Sequence, residues 1–534
     1  MKFRFRIINK GINSTILAPI LFSIFPILAL WETNFSLMSP IEVIRPLLES
    51  LLAAILLYFL AKLMFRNAIK AGLLATFILL LYFTYGHIYG LIENKAILGI
   101  LIGRHRILMV VWILIFLAGI FAILHFGAKA SGVTLFLNRA GLVLLVLSVF
   151  QLVYLQIHAN NLAAQRTRAL PSTTTNLKSS SSSPDVYLIV LDAYMRSDVI
   201  QRDFKYDNTA FINQLTDLGF VVAPCAQSNY AYTVLSISSL LNMNYLSQFA
   251  GPLDPKSTKV DYGLFIEYIT HSQVREQFQR LGYKIVSFEV GYRWVEIYDA
   301  DTYYKSYPSS KIYSQFLSST EFDQMLSATT LFRIVIDAQS ISPSIARQVN
   351  LVETFIRKST RGLTKDLRSG DQIHYDLVLN PLKEVQQAIK LTGNKFVYLH
   401  VPAPHPPWVL DPNGNFDPTT DEKIGYPSEV AYLDKRVIPI IKAIIQNSKN
   451  PPVIILQGDH GWGETSSRPM EILNAYYLPG AANAVYPTIT PVNTFRTIFN
   501  LYFGGNYSRL PDVSYFSTDK QKYNFQVEPS TCPK

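Results

Sequence analysis

Pro452-Val-Ile-Ile-Leu-Gln-Gly-Asp-His-Gly461 is a run of Val, Ile and Leu that stops at a glycine, an acid, an imidazole and a second glycine. An uninterrupted apolar run of this length suggests a strand buried on both faces, as in parallel sheets. Three other runs end in the same way. Val186-Tyr-Leu-Ile-Val-Leu191 leads into Asp192, Lys284-Ile-Val-Ser-Phe-Glu-Val290 into Gly291, and Lys395-Phe-Val-Tyr-Leu-His400 into Val401-Pro-Ala-Pro-His405. Helical patterns lie between them, at 208–218, 273–281 and 428–448. Strands alternating with helices predict a layered α/β domain. In open α/β sheets ligands bind beyond the carboxyl ends of the strands, and three of these four strands deliver Asp or His there.

The residue types at those ends suit a cation. Asp192, Asp459 and His460 offer two carboxylates and one imidazole on rigid elements, a donor set that favours zinc or manganese, with magnesium or calcium as alternatives. Gly458 and Gly461 permit close backbone approach around the pair. Ser228-Asn-Tyr-Ala-Tyr-Thr-Val-Leu-Ser-Ile-Ser-Ser-Leu-Leu-Asn242 leads from a loop into an apolar-periodic helix that begins near Thr233. A hydroxyl at a helix start has two readings. It can be a helix cap, or a nucleophile whose alkoxide is stabilised by free N–H groups and the helix dipole. Ser236 and Ser239 lie on later turns and read as structural. His400 and His405 come from a Pro-stiffened loop and read as substrate anchors or as acid and base, against a plain solvent loop. Arg468 can grip a phosphate or sulfate oxygen, or stand exposed.

The first third is different. Apolar runs at about 14–31, 46–65, 71–92, 107–127 and 141–158 are each long enough to cross a hydrocarbon core of ~30 Å. Residues 1–158 hold 13 Lys/Arg and 4 Asp/Glu of the chain's 48 and 38, so the basic excess of +10 sits almost wholly beside these runs. That placement points to membrane orientation and gives no support to nucleic-acid binding. Lys2, Arg4, Arg6, Lys10, Arg66, Lys70, Lys129 and Arg139 fall on one side, and Arg45, Lys95, Arg104 and Arg106 on the other. The larger set is expected in the cytoplasm, which places the C-terminal domain outside. Glu49, Lys62 and His87 lie within the runs. Lys62 reads as snorkelling, while Glu49 and His87 stay open as functional candidates. A Ser/Thr-rich stretch at 160–184 reads as a tether, so the expected plan is 1–159 membrane, 160–184 linker and 185–534 catalytic domain. Two cysteines exclude a disulfide scaffold or a cysteine-cluster metal site.

The order Val-Leu-Asp192, Thr233 with Ser236 and Ser239, His400…His405-Pro, and Gly-Asp459-His460-Gly resembles the alkaline phosphatase–sulfatase superfamily. Within it, the layout looks like the membrane-anchored branch that includes lipoteichoic acid synthase and the lipid A phosphoethanolamine transferases. The resemblance implies a five-helix transmembrane bundle followed by an alkaline-phosphatase-like α/β/α domain with a mostly parallel central sheet. It implies one divalent metal held by Asp192, Thr233, Asp459 and His460, with Thr233 as a nucleophile that becomes phosphorylated, and substrate contacts from His405 and His400. Four departures stand out. Cys225 sits in Cys-Ala-Gln-Ser-Asn, which lacks the formylglycine pattern of true sulfatases. Val401 stands where a second-metal acid would precede His405. Asp192 replaces the Glu common in the transferases. Those relatives also often carry several disulfides, whereas here only Cys225 and Cys532 can pair.

The expected function is therefore a membrane-anchored phosphotransferase or phosphoester hydrolase acting on lipid or envelope-glycan substrates. The alternatives are a sulfuric ester hydrolase without formylglycine and a non-catalytic membrane scaffold.

Overall fold

The computed structural model describes residues 13–35, 37–38, 40–93, 95–97, 100–101, 104–169, 177–180, 182–306, 321–335, 337, 370–462 and 470–532. The chain divides into two compact units.

The first unit is helical: α1 Leu17–Thr33, α2 Pro40–Phe65, α3 Ala68–Ile92, α4 His105–Phe126 and α5 Ser131–Ala169. Each apolar run of the sequence largely overlaps one of them, with 14–16 and 127 falling outside the helices. Among the described residues four helices are long and apolar enough to cross a membrane, and α1, at 17 residues, is shorter. Two ends differ from expectation for local reasons. Helix α2 starts six residues before Pro46, at Pro40, because a proline's fixed φ suits a first helical position. Helix α5 continues to Ala169, so the first part of the expected tether is helix rather than coil. Ala163-Ala-Gln-Arg166 are good helix formers, and the first proline beyond α5 is Pro171. The plan of a single domain over 185–534 also needs correction. Residues 321–337 pack with the helices of the first unit, and Phe322 is buried in a cluster with Ile27, Val43 and Phe83.

The second unit is built on a seven-stranded sheet. Its strands are β1 Val186–Leu191, β2 Val221–Val222, β3 Lys284–Phe288, β4 Thr302–Tyr304, β5 Lys395–Val401, β6 Val453–Gly458 and β7 Asn474–Tyr477. The spatial order is β2-β7-β6-β1-β5-β3-β4. The pairs β6–β1, β1–β5, β5–β3 and β3–β4 are parallel, and β7 runs antiparallel to β6. Every residue of β1, β5 and β6 is buried, as near-continuous apolar runs require when both faces are covered. Side chains alternate across the sheet. Tyr187, Ile189 and Leu191 therefore enter one apolar cluster with the helix Glu422–Asn447, while Val186, Leu188 and Val190 enter another with the helix Thr233–Asn242. The register aligns Gly458 with Leu191 and Leu191 with Val401. Three neighbouring central strands thus end at one level, which is what gathers the candidate site.

Candidate metal centre

Asp192 follows β1, and Asp459 and His460 follow β6. Each has one ligand atom within 4.8 Å of the others', and all three residues are buried. Glycine is required at 458, where an added Cβ would lie 2.1 Å from the carbonyl oxygen of Tyr194. The chain after Asp192 turns sharply. Ala193 adopts the left-handed region at φ 63°, a conformation that costs an L-residue about 1–3 kcal/mol and needs support. Support comes from three bonds. The Ala193 N–H donates to Asp459 Oδ1 at 2.9 Å. The Tyr426 hydroxyl donates to Ala193 O at 2.9 Å and accepts from the Met195 N–H at 3.1 Å.

Two oxygens are left over. Asp192 Oδ1 and Asp459 Oδ2 are buried and have no hydrogen-bond partner. Unsatisfied buried carboxylate oxygens are costly, and both flank His460 Nε2, at 3.4 and 3.6 Å. The other ring nitrogen, Nδ1, lies 2.7 Å from Gly461 O. Its N–H donates there, which leaves the Nε2 lone pair facing the two acids. This donor set fits a divalent cation: two carboxylates and one imidazole whose tautomer is fixed by its outer hydrogen bond.

Thr233 completes the group. Its Oγ1 lies 2.8 Å from His460 Nε2. Of the two readings open from sequence, the structure removes the cap: Tyr232 is the N-cap residue, and Thr233 is the first helical residue. The approach loop is held by the chain's end. Tyr232 donates to Asp519 Oδ1 at 2.9 Å, Asn229 Nδ2 donates to Val513 O at 2.9 Å, and a Cys225–Cys532 disulfide ties the loop to the C-terminus. Ser239 donates to Asn244 O, in keeping with a structural role, while Ser236 is buried one turn beyond Thr233.

The histidines separate into two kinds. His400 is buried on β5, with Nε2 at 3.3 Å from Asp192 Oδ2 and Nδ1 at 3.4 Å from the Tyr398 hydroxyl. His405 lies on the loop beyond β5, with Nδ1 2.8 Å from Pro406 O and its ring against Trp462 and, farther off, His460. Burial opposes ionisation of Asp192, but the nearby imidazoles of His405, His400 and His460 hold its carboxyl well below the usual range. Arg468 lies outside the described residues.

Three supporting residues were not singled out from sequence. Tyr426 braces the strained turn. Glu429 accepts from Val409 N at 2.8 Å and Leu410 N at 3.3 Å, anchoring the loop that carries His405, and burial lifts its carboxyl to about 8. His374 is buried beside the site, where desolvation and the His405 charge lower it to about 4. None of the three stands in a motif. Each acts through loops that are distant in sequence, so the chain offers no local signal for them.

No family model matches the sequence, and no curated protein matches it. Among solved structures, the chain is similar to the integral membrane protein lipooligosaccharide phosphoethanolamine transferase A from Neisseria meningitidis, with 12% identity over 92% of this chain and 95% of that one and a TM-score of 0.37. It is similar to the zinc complex of the C-terminal periplasmic domain of EcEptC from Escherichia coli, at 12% identity over 66% and 95% and a TM-score of 0.39. A third is the phosphonate monoester hydrolase of Agrobacterium radiobacter, at 13% identity over 62% and 80% and a TM-score of 0.35.

Proposed function

We propose that this chain is a membrane-anchored, metal-dependent phosphotransferase or phosphoester hydrolase with Thr233 as nucleophile, acting on lipid or cell-envelope substrates. The observation that carries it is the Thr233 hydroxyl, 2.8 Å from His460 Nε2 and beside two buried carboxylate oxygens that lack partners.

Asp192, Asp459, His460 and Thr233 would hold the divalent ion, zinc or manganese first. When bound, it supplies Lewis acidity that lowers the hydroxyl's pKa and offsets negative charge on phosphate. The rest follows from the chain's own groups. Thr233 Oγ1 forms a bond to phosphorus as the bond to the leaving oxygen breaks, and the hydroxyl proton passes to solvent water. His405, whose Nδ1–H donates to Pro406 O, contacts substrate through Nε2, which takes up a proton from solvent and passes it to the leaving oxygen. His400 orients Asp192 from behind. Water or an acceptor alcohol then displaces the phosphoryl group from Thr233, and that choice separates hydrolase from transferase.

Five membrane spans place the domain outside the cytoplasm, α1 counting as a short span, with the positive side at the N-terminus and at the α2–α3 and α4–α5 turns. The Cys225–Cys532 disulfide accords with an oxidising compartment. It also removes Cys225 as a source of formylglycine, which leaves no observation in favour of a sulfatase.

The test is hydrolysis of bis(4-nitrophenyl) phosphate and 4-nitrophenyl sulfate by the purified full chain. Thr233→Ala is expected to lower phosphodiester turnover by about 10³-fold or more. Full turnover in that variant contradicts the mechanism, and faster sulfate release contradicts the substrate class.

A further inference from the structure

One segment of the later chain does not stay with the C-terminal domain. Residues 321–337 belong to the helical unit, although β4 before them and the helix Gly370–Ile389 after them belong to the other.

Its contacts reach well down α3. The Leu331 N–H donates to Tyr82 O at 2.8 Å. Gly86 makes room for the segment's backbone, since an added Cβ would stand 2.3 Å from the Thr329 carbonyl carbon. Tyr82 is ten residues before the end of α3 at Ile92, which at a rise of 1.5 Å per residue is about 15 Å below that end. Phe322, Met325 and Leu326 pack into a cluster that includes Ala54 of α2 and Leu79 of α3. Charges in the segment are paired with the helices. Asp323 bonds Arg45, and Arg333 bonds Glu93 at 2.8 Å while lying over the Tyr89 ring. Asp337 meets His105 at 2.7 Å. Paired ions are what a low-dielectric layer demands, and a long Arg can lie in that layer and reach upward to its partner.

Two apolar side chains point away from the helices instead. Leu331 is 37% exposed and Phe332 48% exposed, at the depth where α3 itself exposes Tyr82 and Ile88. From this we infer that residues 321–334 form a membrane-inserted element. On this inference, Leu331 and Phe332 contact lipid acyl chains, adding a membrane-inserted stretch to the helical unit after α5. The occupant of the Leu331–Phe332 face is lipid. Exposed Tyr82, Ile88 and Leu91 continue it on α3.

The two native cysteines are paired, so single-cysteine variants of the full chain take a maleimide nitroxide at one position. Phe332→Cys and, separately, Leu331→Cys are labelled and reconstituted into phosphatidylcholine–phosphatidylglycerol vesicles. Leu56→Cys on α2 serves as the lipid-facing standard and Lys256→Cys as the aqueous one. Collision with dissolved oxygen is expected to exceed collision with a water-soluble nickel chelate several-fold at 331 and 332, as at 56, with the reverse at 256. Either variant decides if the other does not reconstitute. Nickel accessibility equal to that at 256, or accessibility to neither reagent, overturns the inference.

Discussion

In the helical unit Leu63 of α2 stands 78% exposed and Phe136 of α5 68%, whereas every residue of β1 in the C-terminal domain is buried. The same residue types face opposite ways. In the sheet, apolar side chains leave water by packing on one another, and polar groups collect where strands end. In the helices, the outward side chains have no protein neighbour, and the paired ions lie against other elements: Arg45 with Asp323 and Arg333 with Glu93. Hydropathy alone therefore marks both units and says opposite things about where a truncation hurts.

The sharpest way to break this contrast is to delete the same side chain in both places. Leu188→Ala, in the middle of β1, is expected to cost about 2–5 kcal/mol through lost burial and the cavity left behind. Denaturant unfolding of the full chain in detergent measures it, and a cost under about 0.5 kcal/mol would remove the tightly packed sheet from the account. Next comes the disulfide. Reducing Cys225–Cys532, whose partners are 307 residues apart, is expected to destabilise the C-terminal domain by about 2–5 kcal/mol and to raise amide exchange at 225–233, with the helical unit unaffected. Equal loosening of both units would contradict their independence.

A pH comparison comes third. Glu429 is an acid whose carboxyl is raised from 4.5 to about 8 by burial, so folding favours its protonated form. The stability it contributes is complete below about 4.5 and is lost as pH rises through 8, at about 1.4 kcal/mol per pH unit in that window. Glu429→Gln keeps an acceptor for Val409 and Leu410 without the titration. Its Tm is expected to match wild type at pH 5 and to exceed it at pH 8.5, and parallel Tm curves would contradict the assignment. The smallest effect belongs to the lipid face. Leu63→Ala is expected to shift stability by no more than about 0.5 kcal/mol, since the residue has no packed neighbours to lose.

The parts of this structure that depend on short runs were legible in the sequence. Four strands, their carboxyl ends and the grouping of Asp192, Asp459 and His460 follow from apolar runs that stop at polar residues. Thr233 was legible as a helix start, but the residues alone left its role open between cap and nucleophile, because the two have the same local pattern. Its bond to His460 is the observation on which the proposed nucleophile role rests. Tyr426 and Glu429 were not legible, since each supports backbone contributed from elsewhere in the chain. Nor was the 321–337 insertion, whose place is set by partners on α1, α2 and α3 that are distant in sequence. The end of α5 was misplaced because polar residues from Asn160 onward signal solvent exposure, which a helix tolerates.

The central proposal is that two strand ends and one helix start hold a single divalent cation. Elemental analysis of the purified full chain, beside Asp459→Asn, tests it most directly. The account predicts about one equivalent of zinc or manganese in the wild-type chain and a large loss in the variant, with the fold retained by circular dichroism. Equal metal in both, or none in a folded wild-type chain after incubation with either ion, would contradict it.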